Sequence, residues 1–329
     1  MSPSPLNTQT NRGSGAVVAC VDRSPDARNV ANAAAELAST LALPLVLFHV
    51  VETTTGQTQR PDPIEWKLRR QQAYNCLSQM RGRLALDSEA ITIEVVEAEL
   101  VRAIGDRGAA PGTILVIGAN GSEEHPILRD RTAQQVLHAS VAPVLVVPKG
   151  KSISESAFRR ILVPIDGSHF SDIALETASQ LAKKSGAELL LAHVVPEAGL
   201  TSLGPPKTDD VELLLRLNQR NEAAGSDLLE QTARRVASQG LKVRSVCRKG
   251  DARPTLLREI YEERPSLVIL SARGQGGRNC LDLPIGSTAS YLLDHLAVPT
   301  MLIPASIGKT ERRVIPAPDY RMHAPTYAA

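Results

Sequence analysis

Two stretches of this chain carry side chains that could form a site together. Asp166-Gly167-Ser168 follows the apolar run Ile161-Leu162-Val163-Pro164-Ile165, and Ser271 to Ser290 reads SARGQGGRNCLDLPIGSTAS. A glycine-rich loop running into Gly286-Ser287-Thr288 at a helix start suits a phosphate, because unpaired backbone amides and the helix dipole act together on an anion. Arg273 adds positive charge, and Gly274, Gly276 and Gly277 let backbone approach a ligand closely. Each feature also has an ordinary reading. Asp-Gly-Ser is good turn chemistry, Gly286-Ser287-Thr288 could be a helix cap alone, and Arg273 and Arg278 could be solvated charges offset by Asp282. Only a fold that brings the two stretches to one crevice turns them into a site.

Catalytic constellations are missing from the sequence. There is no GxSxG, no HExxH, no GxxxxGK[ST] and no full GxGxxG. No Ser-His-Asp ordering can be defended, so the reading is a non-enzyme in which any ATP hydrolysis is slow and incidental. Cys20, Cys76, Cys247 and Cys280 lack metal-type spacing, which argues against a zinc site or a disulfide scaffold. Cys280 beside Arg278 reads as an exposed thiol. His49 and His193 fall at strand ends with no second ligand at metal spacing, so they read as positional residues.

Composition narrows the class. The chain has 329 residues, enough for two domains with separate cores. Its hydrophobic fraction is 43% with only 3% aromatics, so the core is Val, Ile, Leu and Ala, as in parallel sheets covered by helices. A formal net charge of +2 argues against nucleic-acid binding by bulk electrostatics. The polar start MSPSPLNTQTNRGSG is not a signal peptide, and no apolar run approaches membrane-spanning length. A cytoplasmic location is the expectation.

The elements that must position these residues occur twice. Aligning Asp22 with Asp166 sets an offset of 144 that also matches AAAELA at 33–38 to TASQLA at 177–182, and pairs His49 with His193. Farther on, ILVIGANG (114–121) mirrors LVILSARG (267–274), and PVLVVP (143–148) mirrors PTMLIP (299–304). Order kept over such a length marks a duplicated domain. In the second copy the apolar runs predict strands at 160–165, 188–194, 242–247, 267–271 and 299–303. Amphipathic patterns predict helices at 170–185, 209–239, 254–263 and 287–296, with a first-copy helix over 63–84. The fold class is α/β: two tandem doubly wound domains, each a five-stranded parallel sheet with helices on both faces. The expected boundaries are a disordered tail at 1–13, a first domain at 14–148, a linker at 149–158, a second domain at 159–305 and a disordered tail at 306–329.

The combination ILVPIDGS, AHVV, RKGDARP, SARG and IGSTAS resembles the universal stress protein family in its nucleotide-binding branch, over nearly the whole chain as a tandem. The resemblance implies strand order 3-2-1-4-5, a crevice between the first and fourth strands, and an ATP site using a loop of form G-x2-G-x9-G-[ST]. By position it implies Asp166 at the adenosine end, Val194 beside the adenine, and Gly274, Gly286 and Ser287 at the phosphates. The ligand would be ATP or another adenine nucleotide, with or without Mg²⁺. The resemblance also implies an internal pseudo-dimer through the last strands, 143–147 and 299–303. Association of whole chains and an unidentified protein partner are further expectations; nucleic acid and membrane are not.

The loop departs from the family form. Ser271 replaces the first glycine, and eleven residues separate Gly274 from Gly286 where the family has nine. In the first copy Asp22, Gly118 and Gly121 are counterparts, but Asp130-Arg131 takes the place of Gly286-Ser287, and the pair Gly250-Asp251 aligns with Glu97-Ala98. An Asp in a phosphate cradle adds like charge. The second copy is therefore read as the nucleotide site and the first as degenerate. The competing reading is a nucleotide-free interaction scaffold with two degenerate domains.

Overall fold

The computed structural model describes residues 15–52, 63–119, 131–150, 158–199, 208–275 and 285–305. Most of the expected linker and both expected tails lie outside them. The first half runs β1 (Val17–Cys20), α1 (Ala27–Leu41), β2 (Leu45–Glu52), α2 (Pro63–Arg81), β3 (Ile91–Ala98), α3 (Leu100–Gly108), β4 (Ile114–Ala119), α4 (Arg131–Ala139) and β5 (Val144–Pro148). The second half repeats the order as β6 (Arg160–Pro164), α5 (His169–Ser185), β7 (Glu188–Val195), α6 (Thr208–Ala237), β8 (Lys242–Lys249), α7 (Ala252–Glu263), β9 (Leu267–Ser271), α8 (Ser287–His295) and β10 (Thr300–Ile303).

All ten strands form one sheet in the order β3-β2-β1-β4-β5-β10-β9-β6-β7-β8. Each half is parallel within itself and has the expected order 3-2-1-4-5. The halves meet where β5 and β10 pair antiparallel, Met301 opposite Leu145. The apolar edge of each half-sheet is thereby paired rather than exposed. Strands covered on both faces carry unbroken apolar runs, and Ile161, Leu162 and Val163 are all buried.

Two cores follow from the alternation of side chains along the strands. One, with Val17, Ala19, Ile161 and Val163, packs under α1, α2, α5 and α6; the other, with Val18, Leu162 and Val268, packs under α3, α4, α7 and α8. Both run across the two halves. The alanines of α1 (Ala31, Ala34, Ala38) are buried, and small side chains let the helix sit close to the sheet.

Helix ends differ between the halves in an instructive way. α5 ends in a left-handed Gly186 at φ 72°, whereas its counterpart α1 ends in Ala42 at φ 53°. A Cβ makes this conformation costly, so the first half carries strain there that glycine relieves in the second.

Each half also pins its third helix to its third strand with an ion pair, and the polarity is reversed. Arg248 on β8 grips Glu259 on α7 with Nε–Oε2 at 2.8 Å, and Glu259 is only 2% exposed. In the first half Glu94 on β3 receives Arg107 from α3 at 2.9 Å.

Candidate functional site

The crevice lies where strand order reverses, between β6 and β9, beyond the C-terminal ends of the parallel strands. Sharp turns place its polar groups. Asp166 follows β6, and Gly167 takes φ 75°, which turns the chain into α5. The Asp166 carboxylate then has two fixed jobs. Oδ1 accepts from the Ser168 amide at 2.9 Å, and Oδ2 accepts from the Gln275 amide at 2.8 Å across the crevice. The second bond ties the loop after β9 to the end of β6. A Cβ on Gly274 would collide with Asp166 Oδ2, so glycine at 274 is what lets the loop close on the carboxylate. Ser271, standing where the family form has glycine, donates its hydroxyl to the Arg273 carbonyl at 2.6 Å and shapes the same turn.

Around these groups is a cleft of about 410 Å³. Ile165, Ala192, Leu256 and Leu292 make its apolar walls, Val194 lines one side, and Arg273, Gly274, Gly286, Ser287 and Thr288 line another. Helix N-termini differ around it. Ser168 caps α5 by accepting from the Ser171 amide, and Asp251 caps α7 by accepting from the Arg253 amide. α8 has Gly286 at its cap position and no side-chain cap. Among the described residues, the Ser287 and Thr288 amides therefore open on the cleft without a side-chain acceptor, while the Gly286 amide donates to the Ala272 carbonyl at 2.7 Å.

Of the residues singled out from sequence, Asp166, Val194, Arg273, Gly274, Gly286, Ser287 and Thr288 all line this one cleft. Gly276, Gly277, Arg278, Cys280 and Asp282 lie outside the described residues. Gln275 was not legible as a partner, because it contributes a backbone amide that any residue could offer. Ala252 and Leu256 were also missed; the amphipathic pattern of α7 was the available signal.

His193 and His49 have matching positions. His193 Nδ1 lies 2.6 Å from the Ile165 carbonyl, and His49 Nδ1 lies 2.6 Å from that of Val21. A carbonyl only accepts, so each ring donates from Nδ1 and clamps the exit of the first strand of its half.

The first half holds a larger cleft, about 1190 Å³. Asp22 Oδ1 accepts from the Ser24 amide at 2.9 Å, repeating the Asp166 turn. Gly118 ends its floor, where a Cβ would come within 3.0 Å of Val30 Cγ2. α4 starts at Arg131 as α8 starts at Ser287; Asp130 and Gly121 lie outside the described residues. Among the described residues the charged rim is mainly acidic: Asp22, Asp26, Glu52 and Glu65 against Arg23 and Arg69. Arg69 is held by Glu65 at 2.6 Å, which leaves its charge partly spent. Cys20 also lines this cleft, and burial pushes its thiol up to about 12, opposed by Arg107, so it stays protonated.

One alignment from sequence needs correction. The strand register pairs His193 with Cys247 and His49 with Val95, so Gly250-Asp251 corresponds to Ala98-Glu99 and not to Glu97-Ala98. Glu99 caps α3 by accepting from the Val101 and Arg102 amides, as Asp251 caps α7. The acidic cap is kept in kind between the halves; the one-residue slip arose because the stretch from the third strand to the fourth is one residue longer in the second half than in the first.

A family model for the universal stress protein family matches residues 14–148 and again residues 157–304. The chain belongs to the universal stress protein family. Universal stress protein YxiE of Bacillus subtilis is 28% identical over 148 residues, 44% of this chain and 99% of that protein. A universal stress protein of Mycolicibacterium smegmatis is 22% identical over 230 residues, 70% of this chain and 72% of the relative. The crystal structure of a universal stress protein from Archaeoglobus fulgidus DSM 4304 matches with a TM-score of 0.63 at 21% identity, over 88% of this chain and 98% of that one. The last likeness is one of fold. Among the described residues of this universal stress protein, no helix is long and apolar enough to cross a membrane.

Proposed function

We propose that this universal stress protein binds an adenine nucleotide, ATP or a close relative, in the second-half cleft, and acts as a nucleotide-dependent regulatory module in the cytoplasm. The observation that carries the reading is the α8 N-terminus, uncapped and opening on the cleft beside the Asp166–Gln275 tether. Such an end favours an anion through its amides and its dipole together. The cleft volume of 410 Å³ falls in the range of ligand pockets, about 300–1,000 Å³.

In this reading the adenine lies by Val194 over the apolar walls. Asp166 faces the adenosine end, with lone pairs to spare beyond its two amides. Arg273, Gly274, Gly276, Gly277 and the amides of Ser287 and Thr288 receive the phosphates, with Gly286, whose own amide donates to the Ala272 carbonyl at 2.7 Å, allowing close approach. Among the described residues no three His, Cys, Asp or Glu side chains gather to hold a metal, so a Mg²⁺ would arrive on the phosphates. The site is assigned no catalytic residue. Bound nucleotide favours one arrangement of the groups that line the cleft, and a protein partner reads that arrangement. The first-half cleft, with its acidic rim, disfavours a polyphosphate.

Mass spectrometry of small molecules released from the purified full chain tests the proposal. The parent should release an adenine nucleotide, and Gly286→Asp, which places an anion in the cradle, should release at least tenfold less. Equal retention by the variant would remove the cradle assignment. A nucleotide-free interaction scaffold is the competing reading, favoured by the second cleft being the smaller of the two. A parent that releases nothing and shows no saturable binding of added ATP, AMP or cyclic nucleotide would establish that reading instead.

A further inference from the structure

The N-terminal half of α6 is built for burial and is not buried. Its sequence from Thr208 is TDDVELLLRLNQR, and Val211, Leu213, Leu215 and Leu217 are all exposed. Several large apolar side chains exposed on one stretch of helix belong under another element. Among the described residues nothing in its own half covers it, and the reason is geometric. Gly225 rests against the sheet, where a Cβ would come 2.6 Å from Val195 Cγ2, and Val195 is the last residue of β7. Residues from Gly225 onward pack on the sheet, and Leu229 and Val236 are buried. The turns before Gly225 run on past the end of β7, tethered through the Asn218 carboxamide, which accepts from the Ala198 amide at 2.9 Å.

One stripe on this projecting segment says what covers it. Asp210, Leu213, Leu217 and Arg220 follow one another at helical spacing and so share a face. Read along the helix, the face is acid, leucine, leucine, base. Turned end for end, it is its own complement: acid meets base at both ends, and leucine meets leucine between them. Leu213 is 66% exposed and Leu217 41%, the two apolar members of the face. A surface complementary to its own reversed copy makes a closed, isologous two-fold contact. The corresponding helix α2 exposes Ile64 and Leu68 but follows them with Arg69 and Arg70, and has no such reversal.

We propose that two copies of the chain associate through antiparallel packing of the N-terminal halves of α6, Leu213 of each on Leu217 of the other, with Asp210 facing Arg220 at both ends. The contact is separate from the β5–β10 junction inside the chain and does not depend on nucleotide binding. A seam of a few helical turns is small for a specific interface, so association is read at about 50 µM chain.

Sedimentation equilibrium of the full chain tests this. The parent should be a dimer, and Leu213→Glu with Leu217→Glu should lower its association constant at least tenfold with an unchanged circular dichroism spectrum. Asp210→Arg alone should weaken the dimer, and adding Arg220→Asp should restore it, since the swap rebuilds both end contacts with reversed sign. A parent that stays a single chain overturns the proposal and gives the leucines to a cover from within the chain. A dimer insensitive to the leucine pair, one lost instead in Ile64→Glu with Leu68→Glu, or a double charge swap that fails to restore association, overturns it equally.

Discussion

In the second half, the Asp166 carboxylate reaches across to the Gln275 amide, and a helix without a cap opens beside it. In the first half, Asp22 makes the same turn with Ser24, but among the described residues four carboxylates and two arginines surround a cleft almost three times as large. Strand order, helix order and the histidine clamp are the same in both. Duplication therefore preserved what the sheet needs in each half, while the groups that face a ligand diverged. A doubly wound sheet tolerates this, because its crevice is lined by loop residues and helix ends that the core does not constrain.

The comparison can be broken most forcefully at the ion pairs. Arg248→Ala would strand Glu259, 2% exposed, in the α7–β8 contact, at a cost of about 3 kcal/mol. Arg107→Ala in the first half should cost less, because the Glu94 side chain is 20% exposed and water can reach it. Chemical denaturation of both variants measures the difference; equal costs would show that burial does not separate the two pairs.

Gly274→Ala should come next. Its Cβ would push aside the Asp166 carboxylate and break the Gln275 bond, at about 2 kcal/mol for a charge-assisted hydrogen bond. Loss of bound nucleotide by mass spectrometry should accompany the change. A variant with full stability and full nucleotide content would mean that the tether is dispensable.

A gain should follow from making the halves alike. Ala42→Gly places the residue that α5 uses at its left-handed end, Gly186, and should stabilise the chain by about 0.5–1 kcal/mol. A lowered midpoint in thermal unfolding would show that Ala42 is not strained.

The smallest effect concerns the cap of α7. Hydrogen bonds from the Arg253 side chain and backbone hold the Asp251 carboxyl below its ordinary value. A depressed carboxyl contributes stability that is present above its unfolded value, near pH 4, and is lost as pH falls through the folded value. The difference in stability between parent and Asp251→Asn should therefore shrink as pH drops below about 4. A difference that is flat with pH would assign the cap no charge component.

Much of this was legible beforehand. The matched strands around Asp22 and Asp166 and the paired His49 and His193 revealed the duplication, since apolar runs covered on both faces leave an unambiguous pattern. The helix predicted at 209–239 is found at 208–237, and the strand at 267–271 matches to the residue. The polarity swap between Arg248–Glu259 and Glu94–Arg107 was not legible, because each pair joins a strand to a helix and no local rule couples them. The one-residue slip at Glu99 came from the extra residue between β8 and β9, and a cap position reveals it only once the helix start is known.

What the sequence determined by itself is the repeat, the parallel sheet in each half and the residues at the strand ends, all set by short-range periodicity and turn chemistry. Tertiary structure decided three other things. It joined the halves through β5 and β10 into one sheet, brought the Asp166 carboxylate to the Gln275 amide 109 residues away, and carried the leucines of α6 past the end of β7. Each depends on where separate elements meet in space, and pairings at such separation are fixed by packing and register across the whole sheet, which no local stretch of sequence encodes.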